Sequence, residues 1–350
     1  MPPDRALDAL DSFPRVRLGH STTPLDRAPA LGGELGVDLY IKRDDCTGLA
    51  FGGNKVRQLE FYLGAAVAEH ADTVLITGAV QSNFVRLAAA AARTLGMEVY
   101  IQLEERVPDV DDSYRMSGNV LLNKLLGAHL SSFPVGEDES AADASLEVLA
   151  SELADQGRRP YIIHLAVDHP PLGALGYVEA ARELSAQMQE RDLQFDHVVV
   201  ASGSALTHSG LLVGLRALGN DVPVMGICVR RAATEQRARV FKRCGEVAAL
   251  IERPDCIRES DVVVSDAVLA PGYGQMNDAT MSAMVMAARL EALMLDPVYT
   301  AKTMAGMVAM ARDGAFQPGA RVLFMHTGGL PALFGYGRTL SRHLEKFHKK

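Results

Sequence analysis

Thr73-Val74-Leu75-Ile76-Thr77 is a β-branched, apolar run of strand length, and the Ala- and Leu-rich stretch at 84–95 behind it carries apolar positions at helical spacing. A strand that passes directly into a helix reads as half of a strand–helix–strand crossover. The same alternation continues outward, with further strands expected at 98–103, 129–133, 161–165, 197–201, 224–229, 262–265 and 322–326 and helices filling most of the gaps. That order predicts an α/β protein with a parallel sheet and crossover helices, whose ligands are met at the carboxyl ends of the strands. Asp168-His169-Pro170-Pro171-Leu172-Gly173 is the clearest punctuation and is expected to cross between two domains. Residues 137–144 are acidic and Ala-rich, a loop or a helix start. No fixed-period repeat or low-complexity tract interrupts the pattern.

Composition narrows the function classes. A chain of 350 residues, 48% hydrophobic, can bury one large core or two adjoining ones. The net charge of −8 arises from 43 acidic and 35 basic residues with the signs interspersed, which speaks against a nucleic-acid or anionic-membrane surface. The start, Met1-Pro2-Pro3-Asp4-Arg5, has no apolar leader, and every long apolar segment is broken by Arg, Gln, Asp or Glu, so a soluble, cytoplasmic protein is expected. Cys46, Cys228, Cys244 and Cys256 show neither a Cys-x-x-Cys pair nor metal spacing and read as buried or incidental thiols. His20, His164, His169 and His208 read as structural, and no metal is expected.

Six segments carry chemistry. Lys42-Arg43-Asp44-Asp45 is followed by Gly52-Gly53-Asn54-Lys55 at the head of a helical pattern. A lysine there opposes the positive end of the helix dipole, and with partial burial its ammonium form is disfavoured, as a Schiff-base amine requires. A solvated lysine after a flexible turn is the plain alternative. Gln81-Ser82-Asn83, between strand and helix, is an N-cap, an anion site on the helix's free N–H groups, or both. Ser202-Gly203-Ser204-Ala205-Leu206-Thr207 follows a strand and opens a helix, an order that suits a phosphate cradle or a structural turn. It lacks the Gly-Lys-Ser/Thr ending of a nucleotide-binding P-loop and the Gly-x-Gly-x-x-Gly of a dinucleotide fold. Tyr273, in Gly272-Tyr273-Gly274, and Tyr299, in Asp296-Pro297-Val298-Tyr299-Thr300, are packed at a surface or serve as acids, bases or stacking groups. Thr327 stands at the carboxyl end of the last expected strand, before Gly328-Gly329.

Taken in order, these segments resemble the fold type II pyridoxal-phosphate enzymes, specifically the group of D-cysteine desulfhydrase, L-cysteate sulfo-lyase and 1-aminocyclopropane-1-carboxylate deaminase. The likeness spans nearly the whole chain. It implies a fold like that of the tryptophan synthase β chain, with two open twisted sheets and flanking helices. Residues 1–55 and 168–350 would form a large cofactor domain and 56–167 a small mobile one. The resemblance implies that Lys55 carries pyridoxal 5'-phosphate, that Asn54, Asn83 and the turn Ser202, Gly203, Ser204, Ala205, Leu206 and Thr207 bind the cofactor, and that Thr327 faces its pyridine nitrogen. Ser82 and Asn83 would take the substrate carboxylate beside Phe84, and Tyr273 and Tyr299 would flank the substrate, a small amino acid. A homodimer is usual in the group.

Two residues depart from the group. Phe84 stands where His or Gln is usual, and Ala205-Leu206 stands where glycine is common, with Leu206 expected to tolerate a positive φ poorly. Where the deaminase has a glutamate after its tyrosine, this chain has Thr300, and a neutral hydroxyl at Thr300 or Thr327 cannot supply a protonating charge to the pyridine nitrogen. That favours elimination of a good β-leaving group over ring opening. The expected reaction is conversion of D-cysteine to pyruvate, ammonia and hydrogen sulfide. L-Cysteate desulfonation to pyruvate, sulfite and ammonia is the alternative, then cyclopropane ring opening, and last a ligand-binding relative that has lost its chemistry. A sulfonate would need donors that Phe84 does not offer.

Overall fold

The computed structural model describes residues 7–20, 22–136 and 138–347, so the Met1–Arg5 start and Glu137 lie outside the described residues. The expected strands are all present, with ends shifted by one or two residues. Two others were not anticipated, β1 (Leu25–Arg27) and β2 (Asp38–Lys42), of which β1 is only three residues long. The remaining strands are β3 (Thr73–Ala79), β4 (Glu98–Glu104), β5 (His129–Phe133), β6 (Pro160–Ile163), β7 (His197–Ser202), β8 (Val224–Cys228), β9 (Val263–Ser265) and β10 (Arg321–Met325).

These strands form two sheets. The larger has the order β1-β2-β10-β7-β8-β9 and the smaller β5-β4-β3-β6. Every pairing is parallel except β1 with β2. Parallel strands covered on both faces are apolar almost throughout, and successive side chains serve opposite cores. Leu39, Ile41, Val199, Val322 and Phe324 pack with Ala301, Met304 and Met307 on one side of the large sheet. Tyr40, Val198, Val200, Leu323 and Met325 pack with Tyr177, Leu211 and Leu215 on the other. In the small sheet Val74 and Ile76 face the helix Asn83–Thr94, while Leu75 meets Leu146 and Leu153 of the helix Glu139–Asp155.

The segment 164–171 links β6 of the small sheet to the helix Leu172–Glu190, which packs on the large one. That helix also grips the helix Lys55–Ala68 through a buried ionic cluster. Arg57 bonds both Asp44 and Glu183, Lys42 bonds Glu183, and the Tyr177 hydroxyl donates to Asp44. Lys42 and Asp44 therefore act beneath the site: they anchor the helix that Lys55 opens.

Candidate active site

The carboxyl ends of β3, β4, β7, β8 and β10 open onto one cavity, lined among others by Asn54, Lys55, Ser82, Asn83, Phe84, Tyr273, Tyr299 and Thr327. Lys55 is the first residue of its helix. It is placed there by two glycines that no other residue could replace. Gly52 has φ 63° and a Cβ on it would lie 2.2 Å from the Asp45 carbonyl oxygen; Gly53 has φ 125°. The Lys55 amine donates to Gln58 Oε1 at 3.1 Å and stands 5.0 Å from the centre of the Phe84 ring. Burial pushes it down to about 7, the direction a Schiff-base amine requires.

Ser82 is the N-cap of the helix Asn83–Thr94, its Oγ accepting from the Phe84 and Val85 N–H groups at 3.2 and 3.4 Å. The Asn83 N–H, one residue earlier, stands outside the helical ladder and is available to an anion. Asn83 Oδ1 accepts from Asn119 Nδ2 at 2.9 Å, which leaves the Asn83 amide nitrogen as a donor for a ligand.

The turn after β7 departs from expectation in a useful way. Its positive φ, 80°, falls on Ala205, while Leu206 is the first residue of the helix Leu206–Ala217 and needs none. The side chains of Ser202 and Leu206, both expected in the cradle, do not line the cavity. Ser202 Oγ lies beneath the turn, 3.2 Å from His208 Nδ1 and accepting from Gln236 Nε2 at 2.8 Å, and Leu206 packs into the core. His208 is buried and pushed down to about 4, hence neutral, as a structural histidine should be. Gly203, Ser204, Ala205 and Thr207 do line the cavity. Arg231 holds the Gly203 carbonyl at 3.1 Å and Arg239 the Ser204 carbonyl at 3.2 Å. With those carbonyls drawn outward, the N–H groups of the turn are left to meet an anion. Thr207 Oγ1 accepts from Asn54 at 2.8 Å and Gln58 at 2.9 Å, tying the turn to the Lys55 helix.

Tyr273 and Tyr299 share a hydrogen bond of 2.6 Å between their hydroxyls, and burial raises both phenols, so both keep their protons at neutral pH. Lys302 fixes this pair from behind by donating to the Leu269 and Gly272 carbonyls. Thr300, expected as a possible pyridine partner, is not at the cavity. Its hydroxyl is bonded to Asp296, which also receives the Val298, Tyr299 and Thr300 N–H groups. Of the two threonines it is Thr327 that lines the cavity, and no carboxylate neighbours it among the lining residues apart from Glu139, the one lining carboxylate among the described residues.

Sequence reasoning missed Arg106, Glu139, Leu165 and Arg230, which also line the cavity. Arg106, Leu165 and Arg230 each stand two residues beyond a strand, after β4, β6 and β8, so the rule that ligands meet strand ends would have found them if applied to every strand. Spacing also hid a cluster elsewhere: the ligand atoms of Asp143, His164 and His169 lie within 4.8 Å of one another. The two imidazoles stack with centres 3.5 Å apart and planes 4° from parallel. Ring-nitrogen lone pairs lie in the ring planes, so in this arrangement the two rings do not aim at a shared ion.

An amine poised near neutrality beside an anion cradle suits a ligand that carries both an aldehyde and a phosphate. Comparison with known proteins agrees. Residues 16–328 match the sequence profile of a family described as pyridoxal-phosphate dependent enzyme. D-Cysteine desulfhydrases of Salmonella schwarzengrund and Salmonella choleraesuis are each 42% identical over 330 residues, covering 94% of this chain and 98% of theirs. The crystal structure of an ACC deaminase homologue superposes with a TM-score of 0.86 at 34% identity, covering 98% of this chain and 99% of that one. An O-ureido-L-serine synthase, at 19% identity and a TM-score of 0.65, shares the fold. No helix among the described residues is long and apolar enough to cross a membrane.

Proposed function

The chain belongs to the pyridoxal-phosphate-dependent enzymes, as a lyase of their fold type II branch, and from that premise we propose that it eliminates the β-substituent of D-cysteine to give pyruvate, ammonia and hydrogen sulfide. One observation carries the reading: a lysine amine near neutrality shares a cavity with the start of the helix Asn83–Thr94 and a pair of protonated tyrosines, with no carboxylate beside Thr327.

Bound in this cavity, pyridoxal phosphate supplies an aldehyde for the amine and a ring that delocalises charge from the substrate's Cα. The N–H groups of 203–207 would hold its phosphate, Asn54 acts by fixing Thr207, and the Asn83 amide and Thr327 hydroxyl would serve its ring. Ser82 Oγ–H and the Asn83 N–H orient the substrate carboxylate. Lys55 Nζ, about half uncharged at pH 7, takes the Cα proton. Of the hydrogen-bonded pair Tyr273 and Tyr299, the hydroxyl that accepts from its neighbour keeps its own proton to donate towards the sulfur, and Phe84 excludes water from the amine. Thr327, being neutral, leaves the ring a mild electron acceptor, sufficient for a good leaving group and poor for opening a cyclopropane.

The small sheet with its helices, residues 56–167, is proposed to close over the cavity, and a homodimer in the cytoplasm is the proposed working form. Exposed Met116 and Phe334, on neighbouring helices, support a subunit contact. Sedimentation at the 37.6 kDa monomer mass at micromolar concentration would contradict the dimer.

Incubating the purified holoenzyme with D-cysteine, L-cysteate, 3-chloro-D-alanine and 1-aminocyclopropane-1-carboxylate, with pyruvate and 2-oxobutyrate as readouts, tests the reaction. Pyruvate from D-cysteine and 3-chloro-D-alanine is expected. Turnover of the cyclopropane alone would overturn the argument from Thr327.

A further inference from the structure

Glu139 opens the helix Glu139–Asp155, which packs on the small sheet, yet its carboxylate lines the cavity and is gripped by three arginines from the large sheet's side. Arg230 and Arg231, in the loop after β8, donate to Oε1, Arg231 through Nη2 at 2.7 Å. Arg239, in the helix Ala233–Leu250, donates to Oε2 through Nη2 at 2.9 Å. Two of these arginines face both ways. Arg231 gives Nη1 to the Gly203 carbonyl and Arg239 gives Nε to the Ser204 carbonyl, at 3.1 and 3.2 Å. Arg239 Nη2 also reaches the Leu165 carbonyl at 3.3 Å, in the segment that crosses between the sheets.

A guanidinium is a planar fork, so fixing one of its edges fixes the direction in which the others point. Holding a long arginine side chain in one geometry costs rotamer entropy, and charge-assisted bonds to a carboxylate offset that loss. With the forks of Arg231 and Arg239 held, the Gly203 and Ser204 carbonyls stay turned away from the cavity. A carbonyl that swung back would set its oxygen against those of a bound phosphate. The carboxylate that fixes the forks belongs to the other sheet, so the readiness of the turn for a phosphate and the seat of the small sheet depend on the same bonds. Two events that share bonds favour each other by equal factors.

We propose that Glu139 is a positioning residue for the cofactor's phosphate, acting through Arg231 and Arg239 on the turn at 203–207, so that gripping the phosphate and seating the small sheet are coupled; this role rests on the reading of that turn as the phosphate site. Glu139 itself does not touch the phosphate. Each bridging guanidinium links its carboxylate to a carbonyl of the turn.

The test titrates the apoenzymes of wild type and Glu139→Gln with pyridoxal phosphate and with pyridoxal, which keeps the aldehyde and the ring but has no phosphate, following the absorbance of the bound ligand. Pyridoxal phosphate is expected to bind Glu139→Gln about tenfold more weakly than wild type, while the affinity for pyridoxal changes by less than about twofold. The reciprocal effect needs no variant. In wild type, saturating pyridoxal phosphate should slow hydrogen exchange in the first turns of the helix Glu139–Asp155 by about tenfold, and saturating pyridoxal should not. An equal loss of affinity for both ligands, the mark of a merely structural carboxylate, would overturn the proposal. So would an unchanged affinity of Glu139→Gln for pyridoxal phosphate, or exchange in that helix indifferent to it. Wild type that binds pyridoxal as tightly as pyridoxal phosphate would remove the phosphate site at 203–207 and the proposal with it. None of these readouts involves turnover, so the assignment of D-cysteine stands or falls separately.

Discussion

The identity of single side chains decides the chemistry, and Lys55 decides most of it. Burial holds its amine at about 7, against 10.5 for an ordinary lysine. The amine attacks an aldehyde only when unprotonated, so the rate at which the apoenzyme takes up pyridoxal phosphate should rise with pH and level off just above 7. Stopped-flow absorbance across pH 5.5–10 checks this; a rate still climbing towards pH 10 would show an ordinary, solvated lysine. Lys55 and Asn83 were legible at the starts of helices and Thr327 at the carboxyl end of a strand, with the family resemblance assigning their roles. Ser202 and Thr300 were misread for a common reason: a small hydroxyl next to a cavity turns either way, and only the positions of Gln236 and Asp296 show that both turn inward.

Among the elements, the parallel strands other than β2 were easy to read because burial on both faces demands continuous apolar runs, as in Val198-Val199-Val200. β1 was not, since three residues with two exposed carry no such run. Nor did the sequence disclose that Lys42 and Asp44 belong to a buried network holding two helices together, because ionic partners 13 and 141 residues apart leave no local pattern. Arg57 and Lys42 hold the Asp44 carboxyl below its ordinary 3.8 despite the burial that would raise it. Its stabilising contribution is therefore complete above about pH 4 and is lost as the pH falls below that. Asp44→Asn leaves Arg57 and Lys42 sharing one carboxylate and should cost about 3–5 kcal/mol of unfolding free energy at pH 7. Urea denaturation measures it, and a loss under 1 kcal/mol would mean the network is not load-sharing in the way described.

At the level of the whole molecule, the two sheets were expected but the clasp between them was not. Glu139, at the start of a helix on the small sheet, binds Arg230, Arg231 and Arg239 from the large one, and these arginines hold its carboxyl down to about 2 against its burial. Two of the three also position the turn after β7. Glu139→Gln should lower the melting temperature and speed hydrogen exchange in the first turns of the helix Glu139–Asp155; unchanged exchange there would mean the clasp does not hold the sheets together. The whole account depends on which amine the cavity presents. Lys302 is a real competitor, since burial pushes it down to about 8, but its nitrogen is spent on two carbonyls outside the cavity lining. Reducing the holoenzyme with borohydride and mapping its peptides decides between them. The label is expected on the peptide that contains Lys55, and its appearance on Lys302, on Lys42 or on no lysine would contradict the account.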